Sequence, residues 1–163
     1  MLNPRLQQLV DDRGARYELV PHPETVTAHE AAQRTHVNGQ HVAKAVVVRD
    51  GDGVDFLVVV PASVHVDPAR VRAVSGRPGV TIEDEAVLGR LFPDCELGAM
   101  PPVGHLYGLV TYVDPCLLDD QDTVWFQAGN HHELVGMSVE DFARIARPFH
   151  GDACLHEGAH AVR

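Results

Sequence analysis

The strongest pattern in the chain is a pair of β-branched, apolar runs on either side of a short turn. Residues 41–49 (HVAKAVVVR) and 54–60 (VDFLVVV) flank an Asp-Gly-Asp-Gly segment at 50–53. Apolar runs joined by a short Asp/Gly segment are typical of an antiparallel hairpin or a closely coupled strand pair. This pair of strands should form the centre of a sheet.

The flanking segments alternate between helical and extended patterns without strict βαβ order. Thr27, followed three residues later by Glu30, has the pattern of a capping box, and Asp67-Pro68 is typical of a helix start. We therefore predict an α+β fold in which a mixed, curled sheet surrounds a pocket and helices pack outside it. The predicted helices are 4–13, 29–35, 68–74, 83–91 and 138–146, and the predicted strands besides the hairpin are 16–20, 79–82, 106–113, 123–128 and 133–137.

Length and composition are those of one soluble domain. The 163 residues (17.8 kDa, 45% hydrophobic) correspond to about one domain, which we place at 1–148 with a C-terminal tail at 149–163. No apolar stretch approaches the roughly 18 residues that a membrane helix needs, and the N-terminus lacks a signal core. The three widely spaced cysteines, Cys95, Cys116 and Cys154, predict reduced thiols and a cytoplasmic protein rather than a disulfide framework.

The charge balance limits the partners that the protein can bind. The formal net charge is −10, and only residues 1–49, with 6 basic and 5 acidic side chains, are slightly basic. Proteins that hold long nucleic acids need a basic surface, so any nucleic-acid contact should be local. P-loop, GxGxxG, CxxC and GxSxG motifs are absent from the sequence.

Lys44 is the only lysine, and it stands inside an apolar strand. Side chains alternate faces along a strand, so Lys44 should share the face of Val46 and Val48. An unpaired ammonium among apolar neighbours is costly to desolvate. One interpretation is an edge-strand lysine that extends to water; the other is a fixed cation at the mouth of a pocket, ready for a phosphate or carboxylate.

The segment 98–104 (GAMPPVG) combines two glycines with two prolines. Proline fixes φ and glycine permits close backbone approach, so this loop should be stiff. Its N–H groups at residues 98, 99, 100, 103 and 104 could bind an oxyanion or a carbonyl. The alternative is a plain rigid connector.

Two histidine-containing segments are further candidates. The polar loop 129–132 (GNHH) could border a pocket or simply carry surface histidines. Residues 156–160 (HEGAH) match HExxH, which in zinc peptidases places two histidines on one helical face. The glycine weakens such a helix, and only residues 161–163 follow. With His150 and Cys154 nearby, we expect adventitious zinc or nickel binding rather than catalysis.

Taken in order, these segments resemble the YbaK family, the editing domains related to the insertion domain of bacterial prolyl-tRNA synthetase. The resemblance covers about residues 15–147. The segments that carry it are His22-Pro23, the helix at 27–32, the strand at 43–48 with its lysine, the Gly98-x-x-x-Pro102-x-Gly104 loop, and Phe126-Gln127-Ala128-Gly129 before the last strand and helix.

The resemblance implies a trans-acting deacylase that hydrolyses the ester of mischarged tRNA at its 3′-terminal adenosine. In the family, the lysine holds the tRNA end, the loop N–H groups hold the aminoacyl carbonyl, and a substrate hydroxyl assists the attacking water. The resemblance implies that the reaction needs no cofactor and no metal. It implies tRNA as the partner and a synthetase as a further partner to test. Binding to a membrane or to DNA is not expected. The implied catalytic residues are Lys44, Gly98 and Pro102, and the implied substrate-binding residues are His22, Thr27, Ala99, Met100, Pro101, Gly104, Gly129, Asn130 and His131.

Two other functions are compatible with the same residues. The first is a non-catalytic module that binds a nucleotide, a tRNA end or a protein through the same pocket, which the acidic composition favours. The second is a metal-dependent hydrolase built on His156, Glu157 and His160. Turnover separates the first alternative from a deacylase, and deletion of 149–163 separates the second.

Overall fold

The predicted hairpin lies at the centre of a seven-stranded mixed sheet. The computed structural model describes residues 2–24, 27–35, 37–119, 121–151 and 153–158. The strands that these residues form are β1 (Glu18–Pro21), β2 (Val42–Arg49), β3 (Asp55–Pro61), β4 (Thr81–Ile82), β5 (Thr111–Val113), β6 (Thr123–Gln127) and β7 (Glu133–Ser138). The helices are α1 (Pro4–Arg13), α2 (Ala28–Thr35), α3 (Pro68–Ser75), α4 (Glu85–Leu91), α5 (Pro115–Leu118) and α6 (Val139–Ala146).

The strand order is β1-β7-β6-β2-β3-β5, and β4 pairs with β2 off this path. β2 and β3 are antiparallel over their whole length, as the hairpin pattern predicts. β2 is parallel to β6, and β3 is parallel to β5. The mixed sheet with its surrounding helices confirms the predicted α+β class.

β3 is buried on both faces, which explains its continuous apolar sequence. Leu57 and Val59 belong to the cluster that also contains Leu6 of α1 and Phe142 of α6. The alternate residues of β3 face a second cluster with Val71 of α3. Helices therefore cover both sides of the central strands.

The same alternation holds in β2. Ala43 and Val47 face the cluster shared with α1 and α6, whereas Val46 and Val48 face the cluster shared with α3. The prediction that Val46 and Val48 share one face is confirmed. Lys44 precedes them by two residues and so lies on that face, towards α3.

Capping side chains define the helix starts that the sequence predicts. The Thr27 hydroxyl accepts a hydrogen bond from the Glu30 N–H (3.1 Å), and the Asp67 carboxylate accepts one from the Ala69 N–H (3.0 Å). The Ser138 hydroxyl caps α6 in the same way. The pattern did not predict α5, which is only four residues long.

The strand predicted at 106–113 is wrong over its first half. Residues Gly104–Tyr107 form a 3-10 turn, and Gly108 ends it with φ 73°. That left-handed conformation favours glycine and breaks the extended chain. Only Thr111–Val113 pairs with the sheet.

The segment after α6 packs against the sheet rather than extending from it. Phe149 forms a bridge to Tyr112, and His156 forms one to Val66. Leu155 is 1% exposed within the cluster beside α3. The domain boundary at residue 148 stays a prediction, but the described part of 149–158 adds to the core of the domain.

Cys116 and Cys154 form a disulfide across 38 residues of sequence, with their Cα atoms 5.7 Å apart. The expectation that all cysteines are unpaired is therefore wrong for this pair, and it holds for Cys95. Spacing along the chain carried no information here, because the fold alone brings the last segment to α5. None of the helices formed by the described residues is long and apolar enough to cross a membrane.

Candidate active site

A gap in the sheet exposes one edge of β2. β6 pairs with the first two residues of β2, and β4 pairs with its last two. Among the described strands, none covers residues 44–47 on that edge. The Val47 carbonyl accepts a hydrogen bond there from the Glu83 N–H (3.0 Å). Backbone groups alternate sides along a strand, so the N–H and C=O of Ala45 face the same open edge.

A cavity of about 240 Å³ lies at this edge. Its walls are mainly apolar, and they come from β2, from the segment before α4 and from the Gly/Pro loop. Sites for small molecules are typically concave and apolar with a few placed polar groups. The lining residues are Thr27, Ala28, Lys44, Ala45, Val46, Val47, Ile82, Glu83, Leu88, Gly98 and Met100.

A second cavity of about 330 Å³ adjoins the first and is more polar. It is lined by Thr27, His29, Lys44, Ala62, Ser63 and His65. Thr27 and Lys44 line both cavities, so they stand at the boundary between an apolar and a polar compartment. This second site offers an ammonium, two imidazoles and two hydroxyls to a ligand.

Lys44 is half-buried, and its Nζ donates a hydrogen bond to the Val64 carbonyl (2.6 Å). Burial lowers the pKa of the Lys44 ammonium below its ordinary value, because water solvates the charge less well. No carboxylate among the described residues forms an ion pair with it. A partly desolvated cation between two cavities favours the pocket interpretation over that of a surface lysine on an edge strand.

Glu83 is the acidic side chain of the apolar cavity, and the sequence did not identify it as a site residue. A side-chain hydrogen bond with Asp55 raises the pKa of Glu83, and burial raises it further. Two facing carboxylates that share a proton carry one negative charge between them. In the sequence, Glu83 was only an acidic residue at a helix start, so the structure alone reveals its position.

The Gly/Pro loop presents fewer free N–H groups than the sequence suggested. The Ala99 N–H donates to the Glu96 carbonyl (3.0 Å), and the Gly104 N–H donates to the Thr111 hydroxyl (2.8 Å). Both are therefore occupied within the protein. The N–H groups of Gly98 and Met100 have no partner among the described residues, and these two residues line the apolar cavity.

The loop at 129–132 is hydrogen-bonded to the Gly/Pro loop and to the residue before it. The Gly129 N–H donates to the Ala99 carbonyl (2.7 Å). Buried His131 donates through Nε2 to the Leu97 carbonyl (2.6 Å), and its Nδ1 accepts from Gln127 (3.3 Å). A carbonyl can only accept, so these partners fix the neutral tautomer with the proton on Nε2.

The predicted site residues fall into two groups. Thr27, Lys44, Gly98 and Met100 meet at the cavities. The second group lies outside those cavity walls and consists of His22, Ala99, Pro101, Pro102, Gly104, Gly129, Asn130 and His131. Most of these residues belong to the Gly/Pro loop or to the loop at 129–132, whereas the His22 N–H donates a hydrogen bond to the His132 carbonyl. The substrate contacts of this group stay predictions.

The HExxH segment does not have the helical geometry of a zinc peptidase. His156 forms a bridge to Val66, and the following two residues form a turn. The His156 Nδ1 lies 2.6 Å from a carboxylate oxygen of Asp114. His160 lies outside the described residues.

Comparison with known proteins identifies the family of the chain. Residues 22–145 match the sequence profile of the aminoacyl-tRNA editing domain. The chain belongs to this family. The matched region contains β2 with Lys44, the Gly/Pro loop and the loop behind it. The family predicted from the ordered motifs is thereby confirmed, and with it the predicted class of activity, aminoacyl-tRNA deacylation.

The editing domain has relatives of similar length. It is 31% identical over 149 residues to the multifunctional Ser/Thr-tRNA deacylase ProXp-y of Escherichia coli K12, covering 88% of this chain and 87% of that protein. The protein of the same name from Escherichia coli O157:H7 matches equally. A crystal structure described as a candidate trans-editing enzyme for prolyl-tRNA synthetase superposes with a TM-score of 0.79 and 25% identity, covering 96% of this chain and 97% of that one.

Proposed function

We propose that this editing domain deacylates mischarged tRNA in trans, and that the two cavities beside Lys44 hold the two halves of the aminoacylated 3′ end. The observation that carries the proposal is the position of Lys44 between an apolar and a polar cavity. An aminoacyl-tRNA end has the same division, since a small side chain is joined by an ester to a polar ribose and phosphate.

The polar cavity is the proposed site of the terminal nucleotide. Lys44, His29 and Ser63 line it, and they supply donors for phosphate and ribose oxygens. The Ser63 hydroxyl is itself positioned by a hydrogen bond from the Gln40 amide (2.8 Å). A lysine serves here as a compact charge for a phosphate. A net charge of −10 is compatible with this role, because only the acceptor end needs to be held.

The apolar cavity is the proposed site of the amino acid. Its volume of about 240 Å³ suits a small side chain. The Ser/Thr activity of the ProXp-y relatives makes seryl- and threonyl-tRNA the first substrates to test. Glu83 would face the α-ammonium of the aminoacyl group, and the Thr27 hydroxyl would be available to a polar side chain.

The chemistry requires no protein nucleophile, because the aminoacyl ester is already activated. Water attacks the ester carbonyl carbon, and the carbonyl oxygen gains negative charge opposite the free N–H groups of Gly98 and Met100. Collapse of the tetrahedral intermediate breaks the ester bond, releasing the amino acid and the ribose hydroxyl. The vicinal ribose hydroxyl orients the water and relays its proton to the leaving oxygen. One such N–H donor contributes about 10²–10³ in rate.

The decisive experiment measures release of the amino acid from tRNA. Purified protein and its Lys44→Ala variant are incubated with tRNAs charged with Ser, Thr, Ala or Cys, with and without a chelator. We expect chelator-resistant release from Ser-tRNA or Thr-tRNA that is strongly reduced in the variant. Tight binding of the tRNA end without turnover would instead support the non-catalytic binding module.

Two further assignments belong to this proposal. We propose that the protein acts in the cytoplasm, where charged tRNA is present, and that a synthetase releases the mischarged tRNA which the domain then binds. Addition of the cognate synthetase to the deacylation assay tests the second assignment. A direct complex predicts a lower KM for mischarged tRNA at saturating synthetase, whereas an unchanged KM contradicts it.

A further inference from the structure

Four side chains of metal-binding types meet where the start of α5 contacts the C-terminal segment. They are Asp114 and Cys116 at the start of α5, and Cys154 and His156 in the C-terminal segment. One ligand atom from each lies within 4.8 Å of the others. Asp114 and Cys154 are fully buried, and the His156 side chain is 14% exposed.

We propose that these four side chains bind a structural Zn²⁺ when the two cysteines are reduced. Two thiolates, an imidazole and a carboxylate are donor types that zinc accepts in tetrahedral sites. Zinc bonds of about 2.0–2.3 Å separate tetrahedral ligand atoms by roughly 3.3–3.8 Å, so the cluster needs only small side-chain movements. Their two segments have the patterns Asp-x-Cys and Cys-x-His, so each supplies two ligands.

The disulfide and the zinc site are two redox states of the same cluster. A thiol reductant transfers two electrons to the Cys116–Cys154 bond, and two protons complete the two thiols. Zn²⁺ then displaces both thiol protons. A neutral imidazole carries one proton, so His156, whose Nδ1 lies 2.6 Å from Asp114, binds the ion through one ring nitrogen and keeps that proton on the other. A cytoplasm keeps thiols reduced, and there the zinc state replaces the disulfide.

Either state fixes the C-terminal segment to the sheet next to the Lys44 site. The Asp67 N–H donates to the Leu155 carbonyl (2.9 Å), and the Glu157 N–H donates to the His65 carbonyl (2.9 Å). These bonds hold the loop whose Val64 carbonyl accepts from Lys44. Zinc binding therefore supports the fold around Lys44 without taking part in the reaction, which separates this inference from the proposed deacylation.

Native mass spectrometry of the full-length protein, reduced with a phosphine and exposed to Zn²⁺, tests the proposal. We expect one Zn²⁺ per chain in the reduced protein, none in the oxidised protein, and a higher melting temperature with zinc. Co²⁺ in place of Zn²⁺ should give a thiolate-to-metal charge-transfer band and the spectrum of a tetrahedral ion. The spectrum identifies thiolate ligands directly, so it does not depend on enzyme activity.

Matched variants separate this cluster from other cysteines and histidines. His156→Gln keeps the disulfide-forming pair and should weaken Zn²⁺ binding at least roughly tenfold, since loss of even an outer-shell partner costs 10–100-fold. Cys116→Ser should abolish the cobalt charge-transfer band. Cys95→Ser and His150→Gln change a cysteine and a histidine outside the cluster and should leave binding unchanged.

Three outcomes overturn the inference. Reduced protein with both thiols reactive but no bound zinc would show that the cluster is not a metal site. A Cys116–Cys154 bond that persists in strong reductant would show that only the disulfide exists. Zinc bound equally by wild type, His156→Gln and Cys116→Ser would assign the metal to surface histidines. His156→Gln keeps both cysteines, so the test stands even if Cys116→Ser does not fold.

Discussion

The Nζ atom of Lys44 donates to the carbonyl oxygen of Val64 at 2.6 Å, which ties the only lysine of the chain to the loop after β3. That loop is held in turn by the C-terminal segment, through hydrogen bonds of the Asp67 and Glu157 N–H groups. The position of the ammonium between the two cavities therefore depends on residues far away in sequence.

Replacement of Lys44 by Ala should reduce kcat/KM for deacylation by at least about 30-fold, because truncation of a partly buried charge that contacts a ligand costs about 2–5 kcal/mol. Steady-state release of the amino acid from mischarged tRNA measures this. Arg72→Ala on α3 removes one exposed positive charge away from the cavities and is the control. Equal losses in both variants would indicate non-specific attraction of tRNA, contrary to our proposal.

Lys44→Met should be at least as stable as the wild type at neutral pH, and under the proposed function it should be inactive. Burial lowers the pKa of Lys44, so the folded state binds this proton less strongly than the unfolded state does. Wild-type stability should therefore rise as pH increases through the folded pKa towards the ordinary value of 10.5. Urea denaturation at pH values from neutral to alkaline should show that the difference in free energy of unfolding between the variant and the wild type decreases as pH rises. A difference that is constant with pH would contradict the lowered pKa.

Gly98→Ala should impair both stability and activity. Gly98 has φ 83°, a left-handed conformation that costs a residue with a Cβ about 1–2 kcal/mol. The strain should move the Gly98 N–H, so kcat should fall more than KM rises. Gly89→Ala in α4 meets no atom within 4 Å, and it should instead stabilise the helix by about 0.5–1 kcal/mol. Thermal melts and deacylation kinetics of the two variants form the comparison, and an unaltered kcat in Gly98→Ala would argue against a role for this N–H.

His131→Ala should lower kcat through the Gly/Pro loop, although His131 lines neither cavity. The substitution leaves the Leu97 carbonyl and the Gln127 amide without their partner, at a cost of about 1–3 kcal/mol. The neighbouring His132 is exposed, so His132→Ala is a matched control that should behave like the wild type. A positioning role predicts reduced kcat with KM nearly unchanged at a temperature where both variants are folded. A parallel change in KM would indicate direct substrate contact instead.

Glu83→Gln should raise KM several-fold, because a neutral amide replaces the carboxyl group proposed to face the α-ammonium and leaves the negative charge of the pair on Asp55. Contact with Asp55 raises the pKa of Glu83, so the folded state holds a proton that the unfolded state releases. The contribution of Glu83 to the free energy of unfolding of the wild type is therefore complete below the ordinary pKa of 4.5. It declines as pH rises through the pKa of the folded state. The free energy of unfolding of the variant should therefore rise relative to that of the wild type between about pH 4 and about pH 7. Chemical denaturation at both pH values checks the sign.

The sequence predicted the hairpin and most helix starts because those features depend on neighbouring residues. Alternation in β2 and β3 and the caps at Thr27, Asp67 and Ser138 are short-range patterns with direct physical causes. The strand expected before Thr111 failed where Gly108 turns the chain, which a β-branched pattern does not reveal.

By itself, the sequence determined the α+β class, the central strand pair with its lone lysine, and the family to which the ordered motifs belong. Only the tertiary structure decided which groups meet: Glu83 at the open edge of β2, His131 behind the Gly/Pro loop, and Cys116 with Cys154 across 38 residues. It also decided that the Ala99 and Gly104 N–H groups are already bonded. The reason is physical, since local patterns set backbone conformation, whereas burial and hydrogen-bond partners depend on segments that only the folded chain brings together.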